Sequence, residues 1–197
     1  MTRIAVLVSG GGTNLQALID SWIKNELGGG ELSLVISSRA GVLALKRAEE
    51  AGIKAITIER KMYAELSDFD EAIADTLAEN NINLVVLAGF LSILGHKTIG
   101  IYKNRIINVH PALIPSFCGK GYYGLRVHEA VLEYGVKVTG ATVHLVNEVI
   151  DGGKIILQKA VDVLPGDTPE TLQQRVMREG EWILLPKAVK MFCMGEI

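Results

Sequence analysis

The stretch Arg3-Ile-Ala-Val-Leu-Val-Ser-Gly-Gly-Gly-Thr-Asn-Leu15 decides how the chain is to be read. Residues 3–8 are a near-continuous aliphatic and β-branched run, the pattern of a strand buried on both faces of a parallel sheet. A strand with one wet face would alternate instead. Three glycines follow, and then an amphipathic pattern over residues 15–24 that reads as a helix. Strand, glycine turn and helix in that order open a doubly wound α/β sheet.

Outward from this unit the alternation continues. Strands are expected at 31–37, 54–58, 83–88 and 105–109. Helices are expected at 42–51, ended by Gly52 as a C-cap, at 68–79, leaving through Asn80 and Asn81, and near 94–102. Parallel pairs of this kind need right-handed crossovers. Residues 115–124 hold four Gly and Pro residues, too many for a regular element, and read as a loop. A short helix at 127–134 precedes a strand at 137–146 whose β-branched residues alternate with small or polar ones. A turn-rich loop and a strand at 154–160 make an antiparallel partner for it. Thr168 sets a capping hydroxyl before Pro169 at the first position of the last helix, expected to reach about residue 194 with bends or breaks at Gly180 and Pro186. The expected fold is a single α/β domain: a mostly parallel central sheet with helices on both faces, and an antiparallel strand pair in the C-terminal half.

Composition narrows the function classes. With 197 residues, 49% hydrophobic and 21% charged, the chain can build one substantial core. A net charge of -2 provides no bulk field for nucleic acid or an anionic membrane, so any phosphate site must be local. Cys118 and Cys193 are the only cysteines, without metal-ligand spacing, and two lone thiols fit a reducing cytosol. No apolar run approaches the ~20 residues of a membrane span, and the N-terminal run is too short for a signal peptide. These features predict a cytoplasmic protein acting on small molecules, with no metal, nucleic acid or membrane partner.

Three segments can carry chemistry. In Asn108-Val109-His110-Pro111 the strand period of two puts Asn108 and His110 on one face, and proline ends the strand beside them. That places them at the carboxyl edge of the sheet, where open α/β sheets bind ligands. A turn-starting asparagine and a packed strand-end histidine are the competing account. The loop Ser9-Gly10-Gly11-Gly12-Thr13-Asn14 can turn backbone amides inward at a helix start and so cradle an anion, with Thr13 and Asn14 as side-chain donors. It is neither a Walker loop nor G-x-G-x-x-G, since no Lys-Ser/Thr follows and Leu15 stands at the third glycine position. The competing account is a tight turn with Thr13 as N-cap. Asp151-Gly152-Gly153 reads first as a hairpin turn. Beside His110, however, its carboxylate would favour the imidazolium and orient the ring, and such a pair with a neighbouring amide can move protons and stabilise an oxyanion. No motif marks a covalent nucleophile. His96 and His128 read as surface residues, and His144 either lines the site or packs. Tyr122 and Tyr123 either cover a ligand or anchor their loop, and Glu181 by itself reads as a solvated helix carboxylate.

Taken together, these motifs resemble those of the folate-dependent phosphoribosylglycinamide formyltransferases, nearly end to end. SGGGTNL resembles that family's phosphate loop, VVLAGFLSIL its folate-binding strand and loop, and INVHPALIP with HLVNEVIDGG its catalytic segments; GKGYYGLRVHEAV resembles its glycine-rich substrate loop. The resemblance implies a Rossmann-like formyltransferase fold over residues 1–197, with a phosphate-binding half (1–100) and a catalytic and folate-binding half (101–197). It implies transfer of the formyl group of 10-formyltetrahydrofolate, as co-substrate, to the primary amine of glycinamide ribonucleotide, by a monomer or homodimer. Asn108 and His110 would meet the formyl oxygen, and Asp151 would hold His110 and help move a proton. Gly11, Gly12, Thr13 and Asn14 would hold the phosphate, and Glu181 the glycinamide end. Phe90, Leu91, Ser92, Ile93, Leu94 and Val146, with Asn108 and Asp151, would form the folate site. Ser92 stands where some members carry arginine, and Cys118 and Lys154 where proline is frequent.

Asn-x-His-Pro with a downstream aspartate is shared by formyltransferases with other acceptors, so the phosphate loop is what points to a ribonucleotide. A methionyl-tRNA formyltransferase would need a further tRNA-binding domain and a basic surface. A formyltetrahydrofolate hydrolase would need an additional N-terminal domain, and the first strand here starts at residue 3. A sugar-nucleotide acceptor and a non-catalytic nucleotide-binding module are the remaining alternatives.

Overall fold

The computed structural model describes all residues, Met1–Ile197. Its spine is one seven-stranded sheet in the order β3-β2-β1-β4-β5-β6-β7. The strands are β1 (Thr2–Val8), β2 (Gly30–Ser37), β3 (Lys54–Thr57), β4 (Leu84–Leu87), β5 (Ile106–His110), β6 (Val138–Leu145) and β7 (Ile155–Asp162). The first five run parallel; β6 is antiparallel to both β5 and β7. The mostly parallel sheet and the antiparallel C-terminal pair are therefore as expected.

The opening run behaves as a doubly buried strand must. Ile4, Val6 and Val8 enter the hydrophobic cluster on one face, and Ala5 and Leu7 enter that on the other. The first face is covered by α1 (Thr13–Ile23), α2 (Leu43–Glu50) and the C-terminal helices. The second is covered by α3 (Leu66–Glu79) through Phe69, Ile73 and Leu77. The remaining helices are α4 (His96–Ile101), α5 (Leu125–Tyr134), α6 (Pro169–Val176) and α7 (Trp182–Cys193). No helix is long and apolar enough to cross a membrane.

The chain order reverses between β1 and β4, so their carboxyl ends diverge and open a crevice at the usual ligand position of such sheets. Ser9, just past β1, spans that crevice: its Oγ accepts from the Leu91 amide at 2.9 Å and pairs with Ser38 Oγ at 2.6 Å. The loop after β1 is thereby tied to the loop after β4.

One local reading is borne out and one is corrected. The α-helix is interrupted at Gly180 as expected, where a π-helical segment, Met177–Glu181, separates α6 from α7, but α7 runs through Pro186 without a break. Pro186 is the fifth residue of α7, so its missing N–H removes a single i→i−4 bond in the first turns of that helix. The π turn lets the consecutive residues Gly180 and Glu181 both face inward. A side chain at Gly180 would put its Cβ 2.9 Å from that of Ala141 on β6, which is why a glycine sits at this contact. The Thr168 cap stands as expected, and Thr171 completes the reciprocal pair of capping bonds.

Candidate active site

Strand β5 ends at His110, and Val109 turns away into the core while Asn108 and His110 share the other face. Both open onto a cavity of about 370 Å³ at the carboxyl end of β4 and β5. Its walls bring together Phe90, Leu91, Ser92, Ile93, Leu94, Asn108, His110, Val146 and Asp151, site residues expected from three separate segments of the sequence. Tyr122, Tyr123 and His144 line it as well. Leu91, Ile93, Tyr123, Val149 and Ile150 leave apolar surface exposed around its mouth.

Asp151 is both turn residue and site carboxylate. Its backbone is left-handed, with φ of 54°, a conformation aspartate tolerates in tight turns. From there Oδ2 lies 3.7 Å from His110 Nδ1, and Oδ1 lies 3.8 Å from His144 Nε2. These are ion-pair distances rather than hydrogen bonds. Oδ2 also accepts from the Gly119 amide at 2.8 Å.

The hydrogen bonds assign the ring protons. The carbonyl of Phe117 can only accept, so His110 Nε2 donates to it at 2.8 Å, leaving Nδ1 as the nitrogen that faces Asp151. Likewise His144 Nδ1 donates to the Leu145 carbonyl at 2.8 Å, and its Nε2 accepts from Asn108 Nδ2 at 3.0 Å. Burial pushes the His144 pKa down, which keeps that nitrogen a free acceptor. Asn108 is thereby held with its amino group towards His144 and one N–H to spare. An amide donor, an imidazole and a carboxylate thus converge on one apolar pocket, which suits them to stabilising an oxyanion while relaying a proton.

Gly11, Gly12, Thr13, Asn14 and Glu181 do not line this cavity; they form a second cluster around the loop after β1. Gly12, not Thr13, is the N-cap of α1, with φ of 72°. A Cβ there would lie 2.7 Å from that of Ala44, so only glycine lets the loop press against α2. Thr13 is the first helical residue, and its hydroxyl points to Met177 Sδ at 3.6 Å. Asn14 is buried and donates through Nδ2 to Glu181 Oε2 at 2.5 Å, while its Oδ1 is buried without a partner.

Glu181 is therefore not the solvated carboxylate its helical position suggested. The π turn swings it under the loop, where burial raises its pKa to about 7 against the pull of the Asn14 donor. His128 is likewise corrected from surface to core. It lies on the inward face of α5 between Val127 and Val131, has no hydrogen-bond partner, and burial, aided by the charge of His110, lowers its pKa to about 4. His96 is exposed as expected, 3.8 Å from Glu148.

Two residues that support the site, Arg47 and Asp70, carry no motif of their own, and Ser9, expected only as part of the glycine loop, links the two loops. Arg47 holds the glycine loop by donating from Nε to the Gly11 carbonyl at 3.0 Å. Asp70, buried on α3, accepts from the amides of Gly95, Lys97 and Thr98 and so anchors the wall Phe90–Leu94 from behind. Asp70 did leave a signal: an acid within the apolar stripe of Phe69, Ile73 and Leu77.

This fold and this convergence of side chains define a class. The family model described as formyl transferase matches residues 2–189, and the chain belongs to that family. More particularly, it is 38% identical to the phosphoribosylglycinamide formyltransferase of Haemophilus influenzae over 100% of this chain and 90% of that one. It is 44% identical to the trifunctional purine biosynthetic protein adenosine-3 of Gallus gallus over 99% of this chain, which spans 19% of that longer protein. The crystal structure of glycinamide ribonucleotide transformylase 1 from Symbiobacterium toebii superposes with a TM-score of 0.93 at 42% identity, over 99% of this chain and 89% of that one.

Proposed function

We propose that the protein transfers the formyl group of 10-formyltetrahydrofolate to the primary amine of glycinamide ribonucleotide, a step of purine biosynthesis. The observation that carries this reading is the meeting of Asn108, His110 and Asp151 at the floor of an apolar pocket, one loop away from a glycine-rich helix start. The names of the relatives above supply the acceptor. The pocket walls Phe90–Leu94 and Val146 suit a flat pteridine, and its polar floor suits the formyl group.

In this mechanism Asn108 donates its free N–H to the formyl oxygen, and His110, as the imidazolium, donates from Nδ1–H to stabilise the charge that develops there. The acceptor nitrogen forms a bond to the formyl carbon, and the bond from that carbon to the folate nitrogen breaks. One proton leaves the attacking amine and one reaches the departing nitrogen, with Asp151 as the carrier. Direct attack by the substrate amine needs no enzyme nucleophile. Gly11, Gly12, Thr13 and Asn14 hold the phosphate with backbone and side-chain donors, and Glu181 receives the glycinamide end.

The division of labour we propose gives residues 1–100 the phosphate and residues 101–197 the chemistry. Two crossings interlock the halves: the wall Phe90–Leu94 serves the folate, and Glu181 serves the acceptor.

The test is direct. Protein mixed with glycinamide ribonucleotide and 10-formyltetrahydrofolate should release tetrahydrofolate and formylated ribonucleotide. Formylation of methionyl-tRNA or a sugar nucleotide in place of this acceptor would overturn the assignment. So would release of formate with water as acceptor, or tight ligand binding with no turnover.

A further inference from the structure

The loop after β5 reaches back into the catalytic floor. Phe117 O receives the proton of His110 Nε2 at 2.8 Å, and two residues on the Gly119 amide donates to Asp151 at 2.8 Å. One short segment therefore touches both partners of the His–Asp pair.

Phe117 does this from an unfavourable backbone. Its φ is 50°, the left-handed region, where a bulky side chain crowds its own chain and is rarely found. Such a conformation persists only where surrounding contacts outweigh it. Those contacts are visible. The Phe117 ring packs against the main core cluster and meets two tyrosines edge to face. Its centroid lies 6.0 Å from that of Tyr134 at 81°, and 6.4 Å from that of Tyr122 at 70°. Both geometries are in the favoured aromatic range. Tyr134 is the last residue of α5, 80% exposed, and does not line the pocket. An exposed ring at the far end of a helix is thus placed to hold a backbone carbonyl inside the active site.

We propose that Phe117 is a positioning residue for His110, clamped by Tyr134, and that the clamp fixes the imidazole tautomer. With the carbonyl in place, Nε2 keeps its proton, so Nδ1, facing Asp151 and the reacting carbonyl, is the nitrogen that gains the second proton when the ring becomes the imidazolium. When the clamp is lost, the backbone relaxes from its left-handed conformation, the carbonyl moves off Nε2, and the ring exchanges between tautomers and orientations. The catalytic part of this inference rests on the formyl-transfer reading above; the tautomer part does not.

Nitrogen-15 spectra of the imidazoles decide it, with the His110 signals assigned by their loss in His110→Gln. In the wild-type protein the neutral ring should show one protonated Nε2 and one bare Nδ1. In Phe117→Ala and in Tyr134→Ala the two signals should move towards a common average. Turnover should fall about tenfold or more while both KM values stay within about twofold, because orientation rather than binding is lost. Phe117→Tyr and Tyr134→Phe keep the rings and should restore both the spectrum and the rate. Unchanged His110 signals in a folded Tyr134→Ala protein would overturn the proposal, as would unchanged turnover in a folded Phe117→Ala protein. Should Phe117→Ala fail to fold, Tyr134→Ala still decides, since it removes only an exposed ring. If the wild-type protein transfers no formyl group, the functional reading fails, and the spectra still judge the clamp.

Discussion

Asn14 and Glu181, 167 residues apart in sequence, meet through one hydrogen bond of 2.5 Å beneath the glycine loop. Burial holds the carboxyl at a pKa of about 7, so it is mostly protonated at pH 6 and mostly ionised at pH 8.5. Below pH 7 a glutamine is close to the protonated acid in shape and charge. Glu181→Gln should therefore change the acceptor KM less than about threefold at pH 6. At pH 8.5, where only the wild-type residue offers an anion to the acceptor's N–H donors, the ratio of variant to wild-type KM should reach about tenfold, or ~1.4 kcal/mol. Steady-state kinetics at the two pH values check this, and the ratio cancels titration of the acceptor amine. A ratio independent of pH would remove Glu181 from the acceptor site.

Asp151→Asn separates chemistry from turn formation. Asparagine tolerates the left-handed backbone of this position and keeps an oxygen for the Gly119 amide, so the loop should stay in place. What it loses is the charge facing both histidines. Turnover should fall by about 10²–10⁴ while KM for either substrate moves less than about threefold. Equal losses in turnover and binding would mean that Asp151 serves the turn alone.

What could be read from the sequence was what local pattern controls. Ile4 to Val8 announced a doubly buried strand, and the period of two put Asn108 beside His110. Thr168 with Pro169 marked a helix start, because capping is decided within four residues. The misreadings are all tertiary. His128 looked polar by its neighbours Arg126 and Glu129, yet α5 turns that face onto the core. Glu181 looked solvated because a regular helix would have faced it outward, and a π turn has no clear local signature. Asp151 was legible as a turn, but its carboxylate became a site residue only where the loop folds back on β5.

Asp70 illustrates a support that lies outside the pocket it shapes. Three amides at the start of α4 converge on its carboxylate, at 2.8, 3.0 and 3.2 Å. Asp70→Ala leaves those donors without their partner beside a buried helix end, at a cost of about 2–4 kcal/mol. For a chain of this size that is a fall in Tm of roughly 5–15 °C. Because Gly95 directly follows the wall Phe90–Leu94, the folate KM should rise more than the acceptor KM. Thermal unfolding and the two KM values test this; a lower Tm with both KM values rising equally would detach Asp70 from the folate wall.

His128 and Glu181 should act on stability in opposite directions. His128 titrates near the ordinary histidine value of 6.5 when unfolded and about 4 when folded, so its buried neutral form stabilises the protein fully above pH 6.5. That contribution is lost as pH falls towards 4, because the unfolded chain takes up the proton first. Glu181 titrates near 4.5 unfolded and about 7 folded, so its contribution is complete below pH 4.5 and is lost as pH rises through 7. Each displacement corresponds to about 3 kcal/mol over its window. In the wild-type protein the two slopes largely cancel between pH 4.5 and 6.5. Single variants should unmask them: the unfolding free energy of Glu181→Gln should climb with pH across that window, and that of His128→Leu should fall. Urea unfolding at several pH values, with unchanged m, reads both slopes directly. Two variants that both track the wild-type curve would mean that neither group titrates as its burial requires.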